Sequence, residues 1–245
     1  MLGRFEADLH IHTCLSPCCE SKMSPRRIVE QAKLRGLDMI GICDHNSAEN
    51  VACAKKVGEK EGLAVIGGIE VTSREEVHIL AFFDEDKDLF ELADLIYENL
   101  PGINDERVFG EQIVVNEDDE VLSFNKRLLI GATVLPLHQV VERIHSLGGL
   151  AIASHVDRES FSIIGQLGFI PDGLSLDALE VSPRLSLEKA RLEFGEALDF
   201  PLVTFSDAHA LEDVGKSFTG FLIEEANVKE IRKALFGEDG RKVMS

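Results

Sequence analysis

The sequence contains no tryptophan, a single tyrosine and no long apolar segment. A helix that crosses a bilayer needs about 18 consecutive apolar residues, and no stretch of this chain approaches that length. Residues 1–12 carry a lone Arg4 followed by acidic residues, without the apolar core of a signal peptide. We therefore expect a cytoplasmic protein that does not contact membranes.

Basic residues are scarce as well, since 25 Lys and Arg stand against 44 Asp and Glu and give a formal net charge of −19. Such a surface repels nucleic acid, and no basic stripe or aromatic ladder offsets that repulsion. We therefore expect a small phosphorylated substrate and no stable complex with nucleic acid. Anionic substrates remain compatible with this charge where bound divalent metals supply a local positive charge.

Cysteines are few, odd in number and concentrated near the N-terminus: Cys14, Cys18, Cys19, Cys43 and Cys53. In a protein expected in the cytoplasm, this pattern is typical of reduced, partly buried thiols. The Cys14-x-x-x-Cys18-Cys19 spacing lacks the paired C-x-x-C motifs of a zinc ribbon, so it does not predict a structural zinc site.

Short apolar segments alternate with helical patterns, which indicates β/α units around a mainly parallel sheet. The predicted strands are 5–11, 37–43, 64–69, 77–83, 150–154, 178–182 and 202–206. The predicted helices are 25–35, 47–61, 87–98, 136–147, 187–197 and 228–236, the last of which closes the chain. The length of 245 residues fits one α/β barrel, so we predict a single domain over residues 1–245.

Residues 101–131 depart from this alternation and are interpreted as an insertion on the barrel. Two apolar segments, 112–115 and 121–124, flank the acidic stretch 116–120, a pattern that predicts a β-hairpin. The acidic stretch is interpreted as a solvated turn rather than a metal site. The insertion is a candidate for a rim element or a subunit contact.

Histidines are placed at the ends of predicted strands. His10 and His12 are two residues apart on one strand, so their side chains share a face, and Asp8 on that face is a candidate to orient one of them. Further candidates directly follow later strands: His45, Glu70, His155, Asp207 and His209. In a β/α barrel the carboxyl ends of the strands meet at one mouth, where active sites form.

Three histidines do not follow this rule. His78 comes early in its predicted strand, so strand geometry gives it less support as a ligand. His138 and His145 lie in a helical pattern without a partner motif, and we interpret them as ordinary helix residues.

Nitrogen and oxygen donors without an evident sulfur set suit zinc, manganese or iron, and their number exceeds what one ion binds. We therefore expect two or three divalent ions. A metal-bound water ionises near neutral pH, and two neighbouring ions can hold the resulting hydroxide against a phosphoryl group. The donor set thus predicts a metal-dependent phosphoric ester hydrolase that needs no serine or cysteine nucleophile.

These motifs, in this order, resemble those of the PHP (polymerase and histidinol phosphatase) family: Asp8-Leu9-His10-Ile11-His12-Thr13, Cys43-Asp44-His45, Glu70-Val71, Val77-His78, Ser154-His155 and Ser206-Asp207-Ala208-His209. The resemblance covers roughly residues 5–84 and 149–220. It implies an α/β fold, a distorted (β/α)7 TIM-like barrel with the inserted hairpin, and a cluster of commonly three ions at its mouth. The implied metal ligands are His10, His12, His45, Glu70, His78, His155, Asp207 and His209.

The resemblance also assigns roles and exposes one departure. It implies that Glu70 bridges the ions and that Glu70, Asp207 and His209 act in catalysis. Members of the family usually carry Asp or His where this chain has Pro17, so either Cys18 or Glu20 substitutes, or only two ions are firmly held.

Two arginines, Arg158 and Arg184, follow predicted strands at the same mouth. A guanidinium group matches the geometry of phosphate oxygens, so both are candidates for substrate binding. The alternative is a structural ion pair with one of the many acidic residues.

The leading functional hypothesis is hydrolysis of a phosphate monoester of a small metabolite or nucleotide through a metal-bound hydroxide. One alternative is a phosphodiesterase or exonuclease that trims nucleotide or oligonucleotide ends. A second alternative is a non-catalytic, metal-binding accessory module. The sequence leaves the substrate, the role of the insertion and the oligomeric state open.

Overall fold

A sheet of nine strands curls into a nearly closed barrel and forms the centre of the protein. The structure, a computed structural model, describes residues 1–194 and 200–244. Its strands are β1 (Gly3–Ile11), β2 (Met39–Ile42), β3 (Ala64–Thr72), β4 (His78–Phe83), β5 (Ile113–Val115), β6 (Val121–Phe124), β7 (Leu150–Ala153), β8 (Ala178–Val181), β9 (Leu202–Thr204), β10 (Thr219–Ile223) and β11 (Lys242–Met244).

Helices follow most of the barrel strands, as expected for β/α units. They are α1 (Pro25–Leu34), α2 (Val51–Glu61), α3 (Asp86–Glu98), α4 (Glu106–Phe109), α5 (Leu137–Ser146), α6 (Ile163–Leu167), α7 (Leu187–Phe194) and α8 (Val228–Phe236). The start of α1 was readable in the sequence, because Ser24 caps the helix by accepting a hydrogen bond from the Arg27 N–H and Pro25 occupies the first turn. No helix among residues 1–194 and 200–244 is long and apolar enough to cross a membrane.

The strand order in the large sheet is β11-β10-β1-β2-β3-β4-β7-β8-β9. Beyond β9, Ala208 pairs with Ile11 of β1 in a parallel bridge. This bridge nearly closes a barrel of seven strands, which are β1, β2, β3, β4, β7, β8 and β9. The predicted distorted (β/α)7 barrel is therefore confirmed. β10 and β11 were not predicted; they extend antiparallel from β1, so α8 is not the last element of the chain.

β4 runs antiparallel to both of its neighbours, β3 and β7, whereas the other barrel strands pair in parallel. The cause is the short connection between β3 and β4, which residues 73–77 form. A parallel crossover needs a dozen or more residues, so a connection this short can only form a hairpin. As a result, the beginning of β4 lies at the same mouth as the carboxyl ends of the parallel strands.

The barrel strands are buried on both faces, which explains their nearly continuous apolar sequences. On β4, Ile79 belongs to the apolar cluster shared with α1, α2, α3 and α5, whereas Leu80 belongs to the cluster shared with α8. Helix α8 lies at the end opposite the mouth, because its Val228 N–H donates to Asp84 just after β4 and Arg232 donates to the Gly149 carbonyl just before β7.

The insertion forms the predicted hairpin, in which β5 and β6 make a separate two-stranded sheet. Val114 belongs to a small buried cluster with Leu15, and Val115 is buried as well, whereas every residue of β6 is exposed. The Asn116 side chain accepts hydrogen bonds from the backbone within the acidic turn, as expected for a solvated turn. The predicted helix 187–197 is α7 up to Phe194; its last three positions lie outside the described residues.

Candidate metal centre

The antiparallel direction of β4 explains how His78 reaches the mouth, although its place early in a predicted strand had given it less support as a ligand. His78 is the first residue of β4 and pairs with Thr72 at the end of β3. Because β4 is antiparallel, its first residue reaches the mouth that the other candidates reach from strand ends. The His78 Nδ1 atom lies 3.0 Å from Glu70 Oε1.

Glu70 lies at the centre of the cluster and is almost completely buried. The predicted ligands surround its carboxylate at distances of 2.9 to 3.5 Å. Oε1 faces His10, His78 and His155, at 3.4, 3.0 and 3.4 Å. Oε2 faces His45 at 2.9 Å and His12 at 3.5 Å. This division of partners is the arrangement that a carboxylate bridging two ions requires.

Asp207 closes the cluster from the opposite side. Its Oδ1 atom lies 3.3 Å from His10 Nε2 and 3.2 Å from His12 Nε2. The two Nε2 atoms are themselves 3.1 Å apart. His209 is more peripheral, with its ring centroid 4.4 Å from that of His12 and its side chain 32% exposed. All eight predicted ligand residues therefore meet at the mouth.

Two of these residues adopt a left-handed backbone conformation, which is strained for any residue other than glycine. His155 has φ = 31° and Asp207 has φ = 49°. Both come shortly after a barrel strand, where the chain must turn while its side chain points into the mouth. Backbone strain of this kind persists where the surrounding structure imposes it, and it clusters at functional sites.

A glutamate that the sequence analysis did not assign supports the first histidine. Glu180 of β8 is fully buried, and both of its carboxylate oxygens lie 3.0 Å from His10 Nδ1. It also accepts a hydrogen bond from the His155 N–H at 3.0 Å. A carboxylate behind a histidine fixes the ring and directs Nε2 toward a metal. The signal in the sequence was an acidic residue inside an otherwise apolar strand.

Hydrogen bonds through Ser16 to Asp44 support His12, and the sequence did not predict them. His12 Nδ1 lies 3.1 Å from Ser16 Oγ, and Ser16 donates to Asp44 Oδ1 at 2.7 Å. This chain of hydrogen bonds leaves His12 Nε2 free to bind a cation. Asp8, expected to orient a histidine, instead accepts from the Ser206 and Gly215 N–H groups. The reason is a register shift between Asp8 and Ile11, which interrupts the alternation of side chains along β1.

The electrostatics favour ionised carboxylates. Burial raises the pKa of Glu70, but His78, His10 and His45 outweigh it and hold that pKa well below its usual value. Burial likewise raises the pKa of Asp207, and here His10 and His12 outweigh it. Two ionised, nearly water-free carboxylates make a strongly cation-attracting site.

The histidines respond to their surroundings in opposite directions. Burial, reinforced by His209 and His45, lowers the pKa of His12 to about 3, so its ring is neutral as metal binding requires. Burial also lowers the pKa of His10, but Glu180 and the carboxylates of the cluster outweigh it and raise the pKa well above its usual value. The same negative carboxylates favour a divalent cation at this place.

Unpartnered atoms show that the residues fit a metal. His45 Nδ1 and Glu70 Oε2 are buried and 2.9 Å apart, yet they do not form a hydrogen bond and neither has another partner among the described residues. His155 Nδ1 is also buried without a partner in the described part of the chain. Buried polar atoms are normally satisfied, so these donors fit a metal centre. Three-residue groups with metal-binding spacing include His10, His12 and Glu70, and His45, Glu70 and His78.

The loop after β1 brings two thiols to the outer edge of the cluster. Contact with Cys19 lowers the pKa of Cys18 most, burial opposes the shift, and contacts with His209 and His45 lower the pKa further, so the net value is far below that of an ordinary thiol. Of the two substitutes considered for Pro17, Cys18 lines the cavity at the mouth, whereas Glu20 is half exposed beside Lys22.

A cavity of about 710 Å³ opens over the cluster and contains both predicted arginines. Arg158 Nη1 lies 2.7 Å from Asp207 Oδ2, so it forms the ion pair considered as the alternative. Arg184 lines the cavity, is exposed, and forms no ion pair with any side chain that the structure describes. His138 and His145 lie on α5 outside the cluster, and His145 pairs with Asp177, as expected for ordinary helix residues.

Two family models match the chain. The model of the PHP domain matches residues 8–158, and the PHP-associated model matches residues 188–236. The chain belongs to the PHP domain family. The family resemblance of the sequence motifs is therefore confirmed.

Two solved structures resemble nearly the whole chain in fold. The lesion-specific endonuclease PfuEndoQ from Pyrococcus furiosus superposes with a TM-score of 0.76 at 22% identity, over 99% of this chain and 58% of that one. A structure of endonuclease Q with a 27-mer duplex substrate carrying an abasic lesion at the active site gives a TM-score of 0.72 at 22% identity, over 99% of this chain and 59% of that one.

Among curated proteins, the uncharacterized protein YqxK of Bacillus subtilis is 22% identical over 275 residues, covering 100% of this chain and 65% of its own length. The chain thus spans about three fifths of the length of these relatives.

The endonuclease Q complex corrects the expectation of a small phosphorylated substrate without stable nucleic-acid binding. That protein, which resembles nearly the whole of this chain in fold, holds a duplex substrate at its active site. The expectation was based on the net charge of −19, a sum over the whole chain. Exposed charges farther apart than about 8–10 Å are screened at physiological salt. The charge near the mouth, rather than the net charge of the chain, therefore governs whether nucleic acid can approach the site.

The role of Glu180 gives a first testable prediction for this PHP domain. Glu180→Gln is expected to weaken metal affinity by roughly 10- to 100-fold, the usual effect of losing a carboxylate behind a metal-binding histidine. Competitive zinc titration against a chromophoric chelator measures it. Glu142→Gln, an exposed glutamate on α5, is the matched control. Equal affinity of the folded Glu180 variant and the wild type would contradict the assignment.

Proposed function

We propose that this PHP protein is a metal-dependent phosphodiesterase that hydrolyses phosphodiester bonds in nucleic acid. The observation that carries the proposal is the joint position of the ligand cluster, Arg184 and Phe161 in one open cavity. The fold likeness to endonuclease Q, whose structure holds a DNA duplex at the active site, supports it. A nucleic-acid substrate replaces the small monoester favoured by the sequence.

The predicted ligands would hold two or three divalent ions, with zinc, manganese and iron all compatible with the nitrogen and oxygen donors. Glu70 would bridge two of them, because its two oxygens face different histidines. Bound there, such ions activate water and neutralise charge on a phosphoryl group. Asp207 would fix the ligand geometry, since it contacts His10, His12 and Arg158 at once.

Arg184 is the residue best placed to bind a phosphate of the substrate. It lines the cavity and has no carboxylate partner among the side chains described, so its guanidinium group is available for phosphate oxygens. Arg158 is held by Asp207 and would act mainly by keeping that carboxylate in position. This assigns different roles to the two arginines that the sequence analysis treated alike.

Phe161 provides a surface for a base. Its ring is 38% exposed at the cavity, and it stacks on His78 with centroids 4.7 Å apart. The Phe161 carbonyl accepts the His78 N–H at 2.9 Å, which keeps the loop in place. Aromatic rings at a strand-binding groove stack on nucleic-acid bases without sequence preference. The ring therefore suits a nucleotide next to the scissile phosphate.

Strand pairing between the two matched stretches of the chain supports a single domain. β10 lies within the stretch matched as PHP-associated, and it pairs with β1 of the PHP domain over residues 219–223. We therefore propose one domain over residues 1–245, with the hairpin as an insertion on its rim.

The experiment is a hydrolysis assay with manganese- or zinc-loaded protein. Its substrates are duplex DNA with one abasic site, undamaged duplex, single-stranded oligonucleotide and a nitrophenyl phosphate monoester. We expect cleavage of oligonucleotide at a rate well above that of the monoester. Turnover of the monoester alone would overturn the nucleic-acid assignment, and no turnover of any ester would favour the accessory module.

Arg184→Ala is expected to lower kcat/KM on DNA by about 10- to 100-fold, because a hydrogen bond to a charged group contributes about 1.5–3 kcal/mol. The loss should appear mainly in KM and shrink as salt is added. Arg26→Ala on α1, an exposed arginine outside the cavity, is the control. Equal kcat/KM for both variants would remove Arg184 from the substrate site.

A further inference from the structure

The loop between β1 and α1 holds two cysteines against the loop that carries His209. The Glu20 N–H donates to the His209 carbonyl at 3.1 Å, which joins the two loops. Within the first loop, the Cys19 N–H donates to the Ser16 carbonyl at 3.0 Å. Ser16 in turn accepts the His45 N–H at 3.1 Å. The cysteines are therefore fixed relative to both histidines at the outer edge of the cluster.

The donor atoms at this edge have metal-binding spacing. Cys18 Sγ, Cys19 Sγ and a ring nitrogen of His209 all lie within 4.8 Å of one another. His209 also belongs to a second such group, with His12 and His45. It is thus the residue through which the sulfur donors connect to the histidines of the centre.

The contacts of His209 and His45 leave one ring nitrogen of each histidine available at this edge. His209 Nδ1 lies 2.9 Å from the Asp207 carbonyl, which can only accept, so Nδ1 carries the proton and Nε2 keeps its lone pair. His45 turns its Nδ1 toward Glu70 at 2.9 Å. For Nε2 to bind an ion at the outer edge, Nδ1 must carry the proton, which the facing Glu70 carboxylate would stabilise.

Packing does not account for the position of Cys18. Cysteine is usually a small buried apolar residue, whereas Cys19 is only half-buried and packs in part against the apolar cluster between the sheet and the helices. Cys18 is exposed and lines the cavity with His45 and His209. A thiol in that place contributes little to the core but is accessible to a metal.

We propose that Cys18, His45 and His209 bind a zinc ion at the outer edge of the centre, with Cys19 as a second sulfur donor. The inference rests on the metal dependence of the proposed function but not on its substrate. A mixed sulfur and nitrogen set selects zinc over manganese, because thiolates are soft ligands. The outer ion should therefore remain zinc when the inner positions are exchanged for manganese.

Cobalt substitution tests the proposal without any turnover. Cobalt(II) bound by thiolate gives a sulfur-to-metal charge-transfer band in the near ultraviolet, which nitrogen and oxygen ligands do not give. We expect the band in the wild-type protein, its loss in Cys18→Ser and a weaker band in Cys19→Ser. Cys53→Ala, a cysteine of α2 outside the cavity, should keep the full band.

Metal analysis provides a second readout. After dialysis against manganese, the wild type should retain one zinc per chain, and Cys18→Ser should retain none. Losing even an outer-shell partner costs about 10- to 100-fold in affinity, so loss of the thiolate ligand should cost at least roughly 100-fold.

Absence of the band in fully loaded wild-type protein, or its persistence in Cys18→Ser, would overturn the thiolate site. Failure of the hydrolysis assay with the band present would instead overturn only the nuclease assignment.

Discussion

Glu70→Gln is expected to reduce kcat for ester hydrolysis by at least roughly 1000-fold, equivalent to about 4 kcal/mol in the activation barrier. The carboxylate is almost completely buried and lies 2.9 Å from His45 Nδ1 and 3.0 Å from His78 Nδ1. Glutamine keeps the shape but removes the negative charge that holds two ions in a buried site. Both the ions and the geometry between them should be lost.

The measurement combines elemental analysis with the hydrolysis assay. The variant should retain at least one metal fewer per chain than the wild type, and added metal should not restore its rate. Glu98→Gln, an exposed residue at the end of α3, is the control for a lost glutamate charge. A Glu70→Gln protein with full metal content and normal kcat would show that this carboxylate is only a hydrogen-bond partner of His78.

Metal binding is expected to stabilise the fold by about 4 kcal/mol when free metal exceeds its dissociation constant by 1000-fold. The donors come from β1, β3, β4 and the segments after β2, β7 and β9, so only the folded chain brings them together. Without metal the same atoms would form a buried set of histidines and carboxylates, and some of them have no hydrogen-bond partner in the part of the chain that the structure describes. Ions that bind the folded state alone therefore shift the equilibrium toward it.

For a chain of this size, each kcal/mol corresponds to roughly 2–4 °C in Tm, so chelation should lower Tm by about 8–16 °C. Circular dichroism during heating, with and without a chelator, measures the shift. The difference should shrink in Glu70→Gln and persist in Glu98→Gln. An identical Tm with and without metal would mean that the cluster is stable by itself and binds ions weakly.

The alternating elements, the hairpin and the eight residues that meet at the mouth were all predicted from the sequence and its motifs. Period-two and helical patterns are local, so they can be read without the fold, and the strand-end rule then placed His45, His155 and Asp207 together. The family motifs added His78, whose position the strand-end rule did not explain. The short connection after Thr72 already contained the reason, because it forces β4 to run antiparallel.

The hydrogen-bond partners of these residues could be found only from the folded structure. Glu180 lies 170 positions from His10 in sequence, and Asp8 and Ser206 are 198 positions apart, so no local pattern could pair them. Because of a register shift in β1, the Asp8 side chain does not lie on the same face as the histidines, whereas strict alternation along the strand predicts that it does.

The net charge likewise led to a wrong expectation about nucleic acid. It counts acidic residues far from the mouth, whose effect on the mouth is screened by salt. Composition and local periodicity are properties of the chain, whereas hydrogen-bond partners and local electric fields exist only once distant segments are packed together.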